Sequence, residues 1–187
     1  MHAHFPQNDF PVLLTNRFKL IEIEVHHRND IFELFGDEAV TKFYNISTLK
    51  RVEDADSIIN HFRTRYAEKQ GIRWGIAESP NENSIIGTIG FNNITPNHKA
   101  QLGYDLKAAY WKKGITTEVL DCVLNYAFNN LNINRVEAEV MPGNYASERV
   151  LEKNGFLKEG LFRDWMYWNN RYYDMYSYSV LKRDRKK

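Results

Sequence analysis

The chain has 187 residues, 25 basic and 24 acidic side chains, a net charge of +1 and 43% hydrophobic residues. This size suits one domain that buries roughly 70% of the surface its unfolded chain exposes, and the near-neutral balance leaves no electrostatic footprint for nucleic acid or an anionic membrane. The single cysteine, Cys122, excludes an internal disulfide and fits a reducing cytoplasm, and no apolar run reaches the ~18 residues of a membrane span.

Residues 1–14 carry Pro6 and Pro11 without periodicity and read as a loose arm; no basic segment leads into an apolar run as in a signal peptide. Residues 17–24 (RFKLIEIE) partly alternate and predict a strand, and 30–35 a short helix. Residues 53–69 set Ile58, Ile59, Phe62 and Tyr66 on one face of a longer helix. Three strands at 73–78, 85–94 and 100–106 follow as a meander, separated by turn-rich stretches at 79–83 and 95–97. The clearest helix is 115–131, with the stripe Val119, Leu120, Val123, Leu124, Ala127, Phe128 and Leu131; Cys122 beside it reads as a packing residue. Residues 135–140 alternate strictly as a strand, 147–153 form a helix ended by Asn154-Gly155, and strands at 156–162 and 172–181 close a domain spanning 15–182. The basic tail 183–187 reads as a frayed terminus. The order gives an α+β class with a mixed sheet and helices on both faces, and the long crossover helix favours parallel pairing of the strands it joins.

The chemistry concentrates where the third meander strand runs into the strongest helix, at Tyr110-Trp111-Lys112-Lys113-Gly114-Ile115-Thr116-Thr117-Glu118. A helix start offers free N–H groups and a positive dipole end, which suit phosphate. Lys112 and Lys113 add charge, Gly114 lets backbone approach an anion, and Thr116 and Thr117 can cap the helix or donate hydroxyls. The same features also fit an ordinary strand-to-helix connection, and the spacing matches neither a Walker A loop nor G-x-G-x-x-G. The aromatics Phe162, Trp165, Tyr167, Trp168, Tyr172, Tyr173, Tyr176 and Tyr178 read as a core-packed strand pair with some rings lining a cleft, rather than as a base-stacking platform. No histidine has partners at metal-ligand spacing, so no metal is expected.

A second segment, Met141 through Phe156, adds N-x-x-S-x-x-x-L-E-K-x-G-F to the W-x-K-G-x-x-T-E of the loop. Together these motifs resemble the GNAT acetyltransferase superfamily, and within it the RimJ/RimL-type N-terminal acetyltransferases. The resemblance implies a three-layer fold whose mixed, mostly antiparallel sheet of about seven strands has a splayed central parallel pair. It implies acetyl-CoA as co-substrate. Tyr104, Asp105 and Leu106 would meet the pantetheine arm through backbone groups, and Lys112, Lys113, Gly114, Ile115, Thr116 and Thr117 would hold the pyrophosphate. Asn144 would bond the pantetheine or a water, and Ser147 would sit near the sulfur.

Four positions depart from the family pattern. Lys112 stands where many relatives have glycine, and Thr116 where many have alanine or glycine. Leu151 stands where many carry the tyrosine general acid, leaving Ser147 as proton donor. Gln101 stands where a glutamate often serves as base, leaving Asp105, Glu139 or water. Ser147 also reads as a helix N-cap. The implied reaction is direct acetyl transfer in a ternary complex to an amine, an N-terminal α-amine above all, with a backbone N–H near Leu106 stabilising the oxyanion. A small amine (polyamine, amino acid or aminoglycoside) and a non-catalytic acyl-CoA-binding module are the other readings. The expected partners are acetyl-CoA and the amine, with neither nucleic acid nor membrane, in a cytoplasmic protein of a branch where homodimers are common.

Overall fold

A bulge in the middle of the sheet decides where a ligand can enter. The computed structural model describes residues 9–185. In chain order the elements are β1 (Leu13–Leu14), β2 (Phe18–Glu22), α1 (Arg28–Phe35), α2 (Glu38–Thr41), α3 (Asp54–Ala67), β3 (Ile72–Glu78), β4 (Gly87–Thr95) and β5 (Lys99–Leu106), then α4 (Ile115–Asn129), β6 (Arg135–Val140), α5 (Tyr145–Lys153), β7 (Leu157–Trp168) and β8 (Arg171–Leu181). The strands form one sheet in the order β1-β2-β3-β4-β5-β6-β8-β7, antiparallel except for β5 and β6. The fold is mixed α+β with eight strands, one more than expected, because two-residue β1 is too short to show a period.

The layers follow from the apolar faces. One core joins the sheet to α4 through Trp74, Ile89, Phe91, Leu102, Val119, Leu120 and Val123. A second covers the opposite face, where Ile21, Ile23 and Ile85 meet Ile31, Leu34, Phe35 and Ile59 of α1 and α3. β3 lies under both and is buried at every position but the last, which is why its sequence runs apolar without clean alternation. β6 buries Val136, Ala138 and Val140 on the α4 side and turns Arg135, Glu137 and Glu139 the other way.

β5 and β6 pair over only three positions, ending at Gln101 opposite Glu137, while both strands run on to Leu106 and Val140. The cause lies one strand away. β4 carries Asn92 as an extra residue opposite the Leu102–Gln101 step of β5. A bulge bends its pair of strands and raises their twist, and the bend falls where β5 leaves β6.

Several boundaries differ from those read in the sequence. The loose arm expected over 1–14 is docked from residue 10: Phe10 and Leu13 pack on the core, Pro11 O accepts from Trp74 Nε1 at 2.7 Å, and β1 pairs with β2; residues 1–8 lie outside the described ones. The tail is not frayed at its start, because Arg185 reaches Asp121 at 2.6 Å and Asn125 at 2.9 Å on α4; residues 186 and 187 are not described. The short helix α2 was not anticipated; it is capped by Asp37, which accepts from Ala39 N–H at 2.8 Å. β7 extends to Trp168 as an exposed edge strand, with register shifts at Lys158/Gly160 and Phe162/Met166. Trp165 and Tyr172 are 55% and 62% exposed on this hairpin, and its rings meet in tilted pairs, Phe162 with Trp165 and Tyr167 with Tyr172.

The edge is tied inward by charge. Arg135 of β6 reaches across β8 to Glu159 of β7 at 2.9 Å, and Ser179 donates to the same carboxylate at 2.7 Å. Arg135, then Ser179, hold the Glu159 carboxyl down at about 2, against about 4.3 for an unfolded glutamate. A depressed carboxyl stabilises the fold above the unfolded value and loses that contribution as pH falls through the folded one. Glu159→Gln is therefore expected to lower the melting temperature at about pH 6, and the gap to the parent protein should close as pH falls from about 4 toward 2. Melting curves followed by circular dichroism test this, and a gap constant with pH would refute it.

Candidate active site

The parting of β5 from β6 leaves backbone groups facing a gap. Lys107 N–H donates to Ile86 O at 2.9 Å, toward β4. Backbone groups alternate sides along a strand, so those of Tyr104 and Leu106 point away from β4 into the opening. The Leu106 carbonyl is taken by Trp111 Nε1 at 2.7 Å. That leaves both Tyr104 groups and the Leu106 N–H along the gap. Asp105 differs from the expectation: its backbone faces β4, where a Cβ on Gly87 would run into its carbonyl.

At the far end of the gap lies the start of α4. Lys112 (φ 61°) and Gly114 (φ 73°) are left-handed with Lys113 between them, an alternation that turns successive N–H groups toward one anion. No atom lies within 4 Å of where a Gly114 Cβ would sit, so its φ, not crowding, favours glycine there. Gly114 is the N-cap residue and no side chain caps the helix. Neither Thr116 nor Thr117 does so, and the N–H groups of Ile115, Thr116 and Thr117 keep no intrahelical acceptor. The loop is fastened from behind: Arg17 Nε pairs with Glu118 at 2.7 Å, and its guanidinium donates to Lys113 O at 3.4 Å.

Across the gap stands the N-terminus of α5. Asn144 is its cap, accepting from Ser147 N–H at 3.3 Å, so Ser147 is not the cap and its hydroxyl is engaged elsewhere. Ser147 Oγ lies 2.6 Å from the Tyr104 phenol oxygen. Burial pushes the Tyr104 phenol above its ordinary value, partly offset by Ser147. Leu151 is fully buried in the core beside α4 and cannot reach the gap.

Beside the gap on the α3 side opens a cavity of about 620 Å³. Phe35, Phe43, Ile46, Ile58 and Phe62 supply apolar wall, Asn45, Asn93, Arg65 and His61 polar groups, and Met166 and Met175 represent the last strands. Gln101, Glu139, Asn144 and Ser147 also line it. Gln101 accepts from Asn93 Nδ2 at 2.8 Å. The C-terminal aromatic rings are not among the lining residues; the rings come from the early helices, the loop after α2 and Tyr104 of β5.

Beneath the cavity lies a buried ion pair that the sequence did not reveal. The Arg73 and Asp105 side chains, 3% and 4% exposed, bond each other; Arg73 also donates to Thr88 Oγ1 at 3.0 Å and Asn92 Oδ1 at 3.2 Å, and Thr88 donates to Asp105 at 3.2 Å. A Cβ on Gly103 would come within 2.6 Å of the guanidinium, so the glycine makes room for it. The only sequence signal was a lone arginine in an apolar strand. Burial raises the Asp105 carboxyl, and Arg73 and Thr88 oppose that. Asp105 was expected as a proton acceptor in the cleft. In this placement one carboxylate oxygen, Oδ2, is bonded by Arg73 and Thr88 below the surface. Among the described residues no His, Cys, Asp and Glu cluster could hold a metal, and no helix is long and apolar enough to cross a membrane.

The profile of the acetyltransferase (GNAT) domain matches residues 17–157. An N-acetyltransferase of Bacillus subtilis strain 168, YoaA, is 40% identical over 174 residues, covering 92% of this chain and 98% of its own. A B. subtilis protein named as a ribosomal N-acetyltransferase, YdaF, is 37% identical over 130 residues, 69% of each chain. The structure of the ribosomal L7/L12 α-N-protein acetyltransferase RimL with coenzyme A superposes with a TM-score of 0.80 at 19% identity, over 91% of this chain and 98% of that one.

The buried pair supports the strands that part. Removing one partner of such a pair leaves an uncompensated charge, at a cost of about 3–5 kcal/mol. Asp105→Asn is expected to lower unfolding free energy in urea by about that amount while the folded remainder still binds acetyl-CoA. Unchanged stability with abolished turnover would instead assign Asp105 to catalysis.

Proposed function

The chain belongs to the GNAT acetyltransferase family, in its RimJ/RimL-type branch, and from that premise we propose that it acetylates the α-amine of a protein or peptide N-terminus by direct transfer. As a family member it is an acyltransferase using acetyl-CoA. The observation that carries the site assignment is one continuous line of groups: the open start of α4, the free backbone of Tyr104 and Leu106, and the Ser147 hydroxyl. The N–H groups of residues 115–117, with Lys112 and Lys113, bind the diphosphate. The backbone of Tyr104 and Leu106 pairs with the pantetheine arm as an added strand would, and Asn144, while capping α5, faces the arm from the opposite wall.

The amine attacks the thioester carbonyl, an N–H of the 104–106 segment meets the developing oxyanion, and Ser147 hydrogen-bonds the departing thiolate. Glu139 is the one carboxylate among the described residues lining the cavity and takes the proton, directly or through water. An α-amine of pKa about 8 is already partly neutral at pH 7, so a weak base suffices. The wall chemistry favours a peptide over a polyamine. Several cations would need several carboxylates, whereas apolar rings with asparagine amides and Arg65 suit a side chain and peptide carbonyls.

Ser147→Ala is expected to lower kcat about 100-fold without changing the acetyl-CoA dissociation constant, assayed by thiol release with a panel of N-terminal peptides and small amines. Full turnover in this variant would remove Ser147 from the mechanism. Tight binding of acetyl-CoA by the parent protein with no thiol release to any amine would make it a binding module instead.

A further inference from the structure

Leu151 on α5 leaves the reaction without the usual phenol, yet a phenol stands in the gap from strand β5. Tyr104 sits on β5, and its hydroxyl has two oxygens within reach, Ser147 Oγ at 2.6 Å and Ser147 O at 3.3 Å. Two proton arrangements satisfy this geometry. In one, Ser147 donates to the phenol and the phenol donates to the Ser147 carbonyl, so the serine proton points into the wall. In the other, the phenol donates to Ser147 Oγ, and the serine proton is free to point into the cavity. They differ only by rotation of two hydroxyls, since either oxygen can be the donor.

We propose that Tyr104 is a positioning residue for acetyl transfer, donating its hydroxyl to Ser147 Oγ so that the serine's own proton faces the leaving sulfur. This rests on the function proposed above and deepens it. As the new N–C bond forms and the C–S bond breaks, the electron pair leaves on sulfur, which accepts the Ser147 hydrogen bond; the proton released by the amine goes to Glu139 or water. The phenol keeps its proton throughout, as its burial favours. Its contribution is to hold the donor direction and to polarise the serine O–H, since hydrogen bonds in a chain strengthen one another. The ring packs against the main core, so Tyr104→Phe removes the hydroxyl and leaves the packing.

The test uses acetyl-CoA with hydroxylamine, a nucleophile that is neutral at neutral pH and needs no base, so that thiol release reports the leaving-group side of the reaction. Tyr104→Phe is expected to lower kcat about tenfold, the effect of one hydrogen bond, with an unchanged acetyl-CoA dissociation constant by calorimetry and a variant still fully folded at the assay temperature. Because Tyr104 acts through Ser147, adding Tyr104→Phe to Ser147→Ala should cause no further loss. Independent, multiplying effects in the double variant, or full kcat in Tyr104→Phe, would overturn the proposal while leaving the proposed function standing. No thiol release by the parent protein, above the uncatalysed rate, would instead overturn the proposed function and this inference with it.

Discussion

The extra residue at Asn92 is the constraint from which the site follows. An unbroken sheet would satisfy the backbone of β5 on both sides and leave nothing for a ligand to bond. By bending β5 at Gln101–Leu102 the bulge ends the ladder to β6 after three pairs. The backbone of Tyr104 and Leu106 then lies in an opening that leads from α4 to α5. Buried backbone groups need partners, so the opening is a standing demand for an extended ligand with amides of its own.

The opening persists because its floor is fastened. Arg73, Asp105, Thr88 and Asn92 tie β3, β4 and β5 together just below the bend, and Asn92 is both the bulged residue and a ligand of the guanidinium. Buried charge is costly unless paired and hydrogen-bonded, and here each oxygen and nitrogen that meets its neighbour also fixes the position of a strand. The Phe62 ring centroid lies 5.5 Å from the Arg73 guanidinium carbon, so the cavity is walled in part by the group that covers this pair. Successive polar residues of β5 thus face opposite ways, Tyr104 toward Ser147 and Asp105 toward Arg73.

Much of this was legible in the sequence where one face of an element is buried and the other is not. Residues 135–140 alternate because α4 covers a single side of β6, and the stripe of α4 is apolar because it lies against the sheet. The start of α4 was legible because Gly114 separates two lysines from an apolar helical stripe. Contacts between distant residues were not. Nothing near Asp105 in the chain announces Arg73, 32 residues earlier, so the pair under the cavity could not be read from the sequence. Asn144 and Ser147 are both good caps by type, and only the folded chain shows that Asn144 caps α5 while the Ser147 hydroxyl bonds Tyr104. β1 and α2 are too short for any period to appear.

The long outer strand β7 carries a consequence for behaviour in concentrated solution. An edge of twelve residues with exposed tryptophan and tyrosine would be a template for another chain to extend the sheet. Here the ladder slips twice, and Asp164 turns left-handed at φ 50° between Arg163 and Trp165. A partner strand would find a crooked, charged border without a run of evenly spaced donors and acceptors. The irregularity that makes the hairpin look poorly formed thereby guards the protein against fibrillar self-association.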